Sequence, residues 1–209
     1  CSNNANITLA GAFTGATGAI WSGGTGTYNP NNTTLNAVYT PSAAERIAGT
    51  VTLTLSTVGN GSCNAVGDAV TFTITPSPTV NAGVDRTVCA NNVAVTLSGS
   101  STVATGGMWS GGNGTFDPST TNMSAIYTAS AAEIANGSVT LTLTTTGIGN
   151  CVAVTDQMTI NFTAAPVVNA GAPVSLCANN AQVSLSGSVT GATGGVWSGG
   201  TGTYSPNNS

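Results

Sequence analysis

The sequence predicts an all-β protein assembled from tandem two-sheet sandwiches with a repeat of 88 residues. Three observations carry this. First, the stretch IWSGGTGTYNPNN (Ile20–Asn32) returns as MWSGGNGTFDPST (Met108–Thr120) and as VWSGGTGTYSPNN (Val196–Asn208), so Trp21, Trp109 and Trp197 share one offset (109 − 21 and 197 − 109 both give 88). Cys1, Cys89 and Cys177 keep that offset, as do Cys63 and Cys151. A fixed period without insertions marks an array of copies. Second, apolar and polar residues alternate in short runs, as in half-buried strands. Third, clusters of Gly, Asn and Pro separate the runs, as turns require. The copies divide the chain at 1–76 (without its first strand), 77–164 (complete) and 165–209 (N-terminal part only). The chain reads as a window from a longer array.

The second copy gives the elements in order. PTVNAG (Pro78–Gly83) and RTVCA (Arg86–Ala90) read as a split first strand, A and A′. VAVTLSGS (Val93–Ser100) sets Val93, Val95 and Leu97 on one face and Ala94, Thr96 and Ser98 on the other. GGMWSGG carries Trp109 on a short third strand, and SAIYTAS is the next. SAAEIANG (Ser130–Gly137) is the one helical stretch: Ser130 caps it, Glu133 completes a capping box, and Gly137 ends it. SVTLTLTTTG (Ser138–Gly147) alternates Val139, Leu141 and Leu143 with threonines, and DQMTINFT (Asp156–Thr163) alternates Met158, Ile160 and Phe162 with polar residues. About seven short strands in under ~100 residues, one bearing a core Trp, is the pattern of an immunoglobulin-like sandwich. The copies meet at TPSPTV (Thr75–Val80) and TAAPVV (Thr163–Val168), short Pro-containing joints that should be semi-rigid.

The repeated WSGG stretch poses a choice between a phosphate loop and a turn. A phosphate loop needs a Lys after its glycines and a helix behind them. GGNGTF has neither, so Gly111 and Gly112 are read as a two-residue hairpin turn at positive φ. Gly114 is expected to face Trp109 and make room for the indole. The expected core residues are Trp21, Trp109, Trp197, Leu53, Leu141, Phe72 and Phe162.

Composition narrows the function. The chain has no Lys, no His, two Arg and six acids; charged residues are 4% of it, against roughly a quarter in ordinary globular proteins. Its net charge of −4 provides no basic face for nucleic acid. No apolar run approaches the ~20 residues of a membrane span. Without His or Lys most general bases and Schiff-base nucleophiles are missing, so an enzyme is not expected. Only Glu45/Glu133 and Asp68/Asp156 recur among the acids; Pro173 and Asn29 stand where Asp85 and Asp117 would repeat. One Glu and one Asp per copy fit a helix cap and a strand-start turn better than a calcium site. No cofactor and no metal are expected. Sequons such as that at Asn136 arise by chance in a chain this rich in Asn, Ser and Thr. Threonine rows at Thr50, Thr52, Thr54 and at Thr140, Thr142, Thr144 allow a second reading as a repeated binding surface, ice included, although Thr is also a good uncharged strand residue.

The five cysteines, without CxxC or His, point to disulfides in an oxidising place. Cys89 ends strand A′, and Cys151 lies at the hairpin into the last strand. In an immunoglobulin-like order these turns are at opposite ends of a sandwich, roughly a strand length of 17–20 Å apart, whereas bonded Cα atoms lie ~4.4–6.8 Å apart. End-to-end copies bring Cys1 near Cys151 instead, and this pairing is favoured. Cys63, Cys89 and Cys177 then pair with copies beyond the window. The alternative is pairing within copies, Cys1–Cys63 and Cys89–Cys151.

VNAGVDRTVCANNVAVTLSG, WSGGNGTFDP, IYTASAAEIANGSVTLTLTTTG and CVAVTDQMTI, in this order, resemble the PKD-like and immunoglobulin-like repeats of large surface proteins of Bacteroidota. Some of those are gliding-motility adhesins exported by the type IX system. The resemblance covers the whole chain. It implies secretion, attachment at the cell surface, and a stalk whose partners are its own neighbouring repeats. The expected function is a spacer and load-bearing rod in an extracellular filament. The alternative is a multivalent surface for glycans or abiotic surfaces.

Overall fold

The structure is a computed structural model and describes residues 1–207. Asn208, the last residue of the third WSGG stretch, and Ser209 lie outside the described residues. Copy 1 holds β1 (Ile7–Thr8), β2 (Gly18–Ser22), β3 (Thr27–Asn29), β4 (Val38–Thr40), α1 (Ala43–Ala48), β5 (Thr50–Val58) and β6 (Gly67–Thr73). Copy 2 holds β7 (Thr79–Asn81), β8 (Arg86–Cys89), β9 (Ala94–Thr96), β10 (Ser100–Thr102), β11 (Gly106–Ser110), β12 (Thr115–Asp117), β13 (Ile126–Thr128), α2 (Ala131–Asn136), β14 (Ser138–Thr146) and β15 (Thr155–Thr163). Copy 3 holds β16 (Val167–Asn169) and β17 (Ser188–Thr190).

Copy 2 is a two-sheet sandwich. One sheet runs β11-β14-β15-β8, with β8 parallel to β15 and the other pairs antiparallel. The other runs β12-β13-β9. A ribbon of β7 and β10 lies against β14 and β15. Copy 1 repeats the plan with β2-β5-β6 facing β1-β4-β3. All-β immunoglobulin-like sandwiches in tandem are therefore the architecture.

Each core lies between its two sheets and is filled by the alternating residues. Along β14, Val139, Leu141 and Leu143 point inward. Thr145 continues this face and is only 2% exposed. Its hydroxyl donates to the Val154 carbonyl (3.3 Å) and accepts from the Val154 N–H (3.0 Å), so the buried polar group is satisfied. Leu53 and Leu141 are fully buried. Trp21 and Trp109 are also buried, and their indole N–H groups donate to the carbonyls of Leu35 (3.2 Å) and Met123 (3.3 Å). On the solvent face Thr52 and Thr71 share a hydroxyl hydrogen bond of 2.7 Å across β5 and β6, and Thr140 pairs with Thr159 in the same way. One hydroxyl of each row thus bonds across the sheet to a threonine of the neighbouring strand.

Several expectations need correction. Phe72, Phe162 and Trp197 are half-buried, not fully in the core. Phe162 lies near the end of β15 beside the edge strand β8, and Phe72 has no strand laid over it. Trp197 lacks the partner sheet that Trp109 gains from β14, since no such strand exists among the described residues of copy 3. The glycine turn is not a hairpin: β11 pairs with β14 and β12 with β13, so Gly111–Gly114 carries the chain from one sheet to the other. Gly114 does not face Trp109. A Cβ there would meet the Tyr127 ring at 2.7 Å and strike the Thr128 carbonyl. The residue that makes room for the indole is Gly99, whose Cβ would lie 3.1 Å from Trp109.

Candidate functional site at the joint between copies

The glycine loop binds an anion, and the anion belongs to the same copy. Glu133 completes the capping box of α2: its Oε2 accepts from the Ser130 N–H at 2.7 Å and from the Ser130 hydroxyl at 2.9 Å. Its Oε1 accepts from the Asn113 N–H at 2.6 Å and from the Tyr127 hydroxyl at 2.7 Å, while the Tyr127 oxygen accepts from the Gly114 N–H at 3.0 Å. Copy 1 repeats this with Glu45, Tyr39, Thr25 and Gly26. Gly111 and Gly112 sit at φ +84° and +73°, and a Cβ on Gly112 would strike the Tyr127 hydroxyl. The glycines let the loop close over the glutamate.

Burial pushes the Glu133 carboxyl up, but the Tyr127, Ser130 and Asn113 donors outweigh it and hold the group below the usual carboxylate range. Glu45 is shifted the same way by burial opposed by the Thr25, Ser42 and Tyr39 donors. Burial, and then the neighbouring glutamate, pushes Tyr127 up to about 12; Tyr39 is also pushed up to about 12, chiefly by burial. With four hydrogen bonds on its two oxygens, each glutamate has little capacity left for a cation. Asp156 accepts from the Ala82 N–H at 2.8 Å, and Asp85 from the Thr159 N–H at 2.8 Å, so these acids also serve the fold. No group of three or more His, Cys, Asp or Glu suited to a metal ion occurs among the described residues. Among them, no helix is long and apolar enough to cross a membrane.

The second cluster lies where copies 1 and 2 meet. Cys1 and Cys151 are joined by a disulfide, with Cα atoms 5.1 Å apart and a sequence separation of 150. Both sulfurs lie over the Pro76 carbonyl, at 3.5 and 3.8 Å. Two asparagines reinforce the bond. Asn3 donates to the Val152 carbonyl (2.8 Å) and accepts from the Val152 N–H (3.1 Å); Asn4 donates to the Asn150 carbonyl (3.1 Å). The Ser2 N–H donates to the Thr75 carbonyl at 2.8 Å, fixing the arm to the end of copy 1.

Within-copy pairs are not formed. Because β8 is parallel to β15, Cys89 stands beside Thr163, at the far end of β15 from the hairpin that carries Cys151. Cys63, Cys89 and Cys177 are free, with Cys63 and Cys177 exposed. Cys89 nevertheless repeats the Cys1 setting: the Ala90 N–H donates to the Thr163 carbonyl, and the Cys89 sulfur lies 3.8 Å from the Ala164 carbonyl. The asparagine clamp escaped sequence reasoning. Its available signal was the pair Asn3-Asn4, which recurs as Asn91-Asn92 and Asn179-Asn180, two residues after each cysteine.

The class defined by this fold and joint is an array of immunoglobulin-like sandwiches with a covalent link between neighbours. No family model matches the chain, and no curated protein matches it in sequence. Among solved structures it is similar to protocadherin gammaB7 EC3-6, with 16% identity and a TM-score of 0.32 over 73% of this chain and 43% of that one. It is similar to Drosophila N-cadherin EC1-4, with 11% identity and a TM-score of 0.38 over 70% of this chain and 41% of that one. It is also similar to chicken VE-cadherin EC1-2, with 13% identity and a TM-score of 0.32 over 76% of this chain and 90% of that one. The chain therefore spans less than half the length of the first two.

Proposed function

We propose that this chain is a load-bearing segment of an extracellular stalk, in which sandwiches act as spacers and disulfides carry tension past them. The stalk belongs to a surface protein of the Bacteroidota type that the repeats resemble. The observation that supports this best is the Cys1–Cys151 link across the joint. Residues 2–150 lie inside the loop that it closes. Tension applied at Cys1 passes through the sulfurs to Cys151 and bypasses all of copy 1 and most of copy 2. The Asn3 and Asn4 clamp holds the same two segments in register, and a disulfide fits an oxidising, extracellular place.

Stretching single molecules from their two ends tests this. At ~3.3–3.6 Å per extended residue, the oxidised chain should release only the residues after Cys151, about 200 Å. Reductant should add about 500 Å from the loop of 150 residues. An oxidised chain that already yields the full length would sink the reading.

A further inference from the structure

Asparagine followed by glycine is a chemically labile step. The glycine nitrogen attacks the side-chain carbonyl of the asparagine, because no Cβ shields it and the backbone turns freely there. The attack needs a glycine N–H that is not tied up and a chain free to move. Three such steps occur, Asn60–Gly61, Asn113–Gly114 and Asn136–Gly137, and the fold treats them differently.

Two of the three are held. The Gly114 N–H donates to the Tyr127 hydroxyl at 3.0 Å, and the Asn113 N–H beside it donates to Glu133 at 2.6 Å. The Gly137 N–H donates to the Glu133 and Ile134 carbonyls, both at 3.1 Å, and closes α2, whose last residue is Asn136. Each of these nitrogens must give up a hydrogen bond before it can attack. Gly61 has no such tie. It lies in the hairpin between β5 and β6 and is exposed, and its N–H has no acceptor among the described residues. A Cβ placed on it would meet nothing within 4 Å. Docking a neighbour on this hairpin does not close the position. The matching hairpin of copy 2 carries the Cys1–Asn4 arm, yet Gly149, the counterpart of Gly61, is still exposed, with nothing within 4 Å of its own added Cβ.

We propose that Asn60–Gly61 is a self-modifying site, at which the folded chain deamidates without an enzyme while its other two Asn-Gly steps stay intact. The Gly61 nitrogen loses its proton to hydroxide and bonds to Asn60 Cγ. The Cγ–Nδ2 bond breaks, ammonia leaves, and a cyclic imide remains. Water then opens the imide at either carbonyl, which leaves aspartate or isoaspartate at position 60 and a new negative charge in a chain of net charge −4. Two hydrogen bonds of the turn are affected. Asn60 Nδ2 donates to the Thr57 carbonyl at 3.2 Å, and the Cys63 N–H donates to the Asn60 carbonyl at 3.1 Å. An acid at position 60 loses the first bond, and isoaspartate reroutes the main chain through the second. The turn that presents Cys63 is thereby loosened. The equivalent turn of copy 2, closed by the Cys151 N–H on the Ile148 carbonyl at 3.1 Å, has no side-chain amide to lose at that position. The hairpin of copy 1 therefore ages and that of copy 2 does not. This chemistry is independent of the load-bearing role.

The test is timed incubation of the whole oxidised chain in mildly alkaline buffer, with free thiols alkylated, followed by unfolding, digestion and peptide mass mapping. Trypsin cuts after Arg46 and Arg86, so Asn60 falls on one peptide and Asn113 and Asn136 on the next. Fragmentation then places the change within each peptide. The mass gain of an amide-to-acid exchange is expected at Asn60, as a mixture of aspartate and isoaspartate. It should be about tenfold or more faster than at Asn113 or Asn136, which corresponds to about 1.4 kcal/mol of protection at those two. In denaturant the three rates should converge. Comparable rates at all three in the folded chain, or an Asn60 that stays intact, overturn the proposal. So does a gap that persists in denaturant, because local sequence and not the fold would then set it.

Discussion

Trp109 is 1% exposed, packs among Leu97, Leu141 and Leu143, and spends its one polar atom on the Met123 carbonyl. Trp109→Ala should therefore cost copy 2 about 3–5 kcal/mol, as large-to-small core changes do. Calorimetry should show one transition moving down while the copy 1 transition stays in place. An unchanged profile would mean that the indole is not a core anchor. The glutamates give a prediction in pH. Glu45 and Glu133 have folded pKa values below the ordinary carboxylate value, which is about 4.3 in an unfolded chain. Their stabilisation is fully present above that unfolded value and is lost as pH falls through the folded one. Melting temperature should therefore drop in acid below about pH 4. The double variant Glu45→Gln/Glu133→Gln should melt lower at neutral pH and depend less on acid. Equal acid slopes for the two proteins would remove the glutamates from that role.

At the scale of elements, α2 is six residues long, too short to persist on its own. It is held by its cap. The Ser130 hydroxyl accepts from the Glu133 N–H and donates to the Glu133 carboxylate, which in turn holds the glycine loop. Ser130→Ala should cost about 1 kcal/mol, and amide exchange should quicken at Asn113 and Gly114 as well as in the helix. Exchange that quickens only in the helix would show that cap and loop are not coupled. The helix was legible because a capping box is a local pattern. β14 and β15 were legible because three apolar residues alternate with polar ones in each, Val139, Leu141 and Leu143 in one and Met158, Ile160 and Phe162 in the other. β12 was not: three residues, Thr115–Asp117, within a glycine-rich stretch show no period. Without it the loop looked like a hairpin, and Gly114 was assigned to the wrong aromatic ring. Tyr127, the true neighbour, lies 13 residues further on, and only the sheet crossing brings it there. The pairing of Cys1 with Cys151 could be argued in advance because it follows from strand order.

The whole molecule is held together almost without charge. Charged residues are 4% of the chain, and Arg46 and Arg86 are its only basic side chains. The recurring carboxylates spend their oxygens on backbone N–H and hydroxyl groups at 2.6–3.0 Å. The link between copies is a disulfide with neutral amide hydrogen bonds around it. Salt acts on exposed charges through screening, over a length of about 8–10 Å at ordinary ionic strength. Here it finds few pairs to screen, and the close contacts are short and between charge and dipole. Raising salt from low to about 1 M, with a non-kosmotropic salt such as sodium chloride, should therefore leave both sandwich transitions within roughly 2–4 °C. That is the shift about 0.5 kcal/mol makes in a domain of this size. The same insensitivity should hold for the joint: the distance between fluorophores placed on copies 1 and 2 should stay constant with salt and broaden only when Cys1–Cys151 is reduced. A large salt-dependent change in either quantity would reveal a bound ion or a charge network that the covalent and amide contacts do not account for.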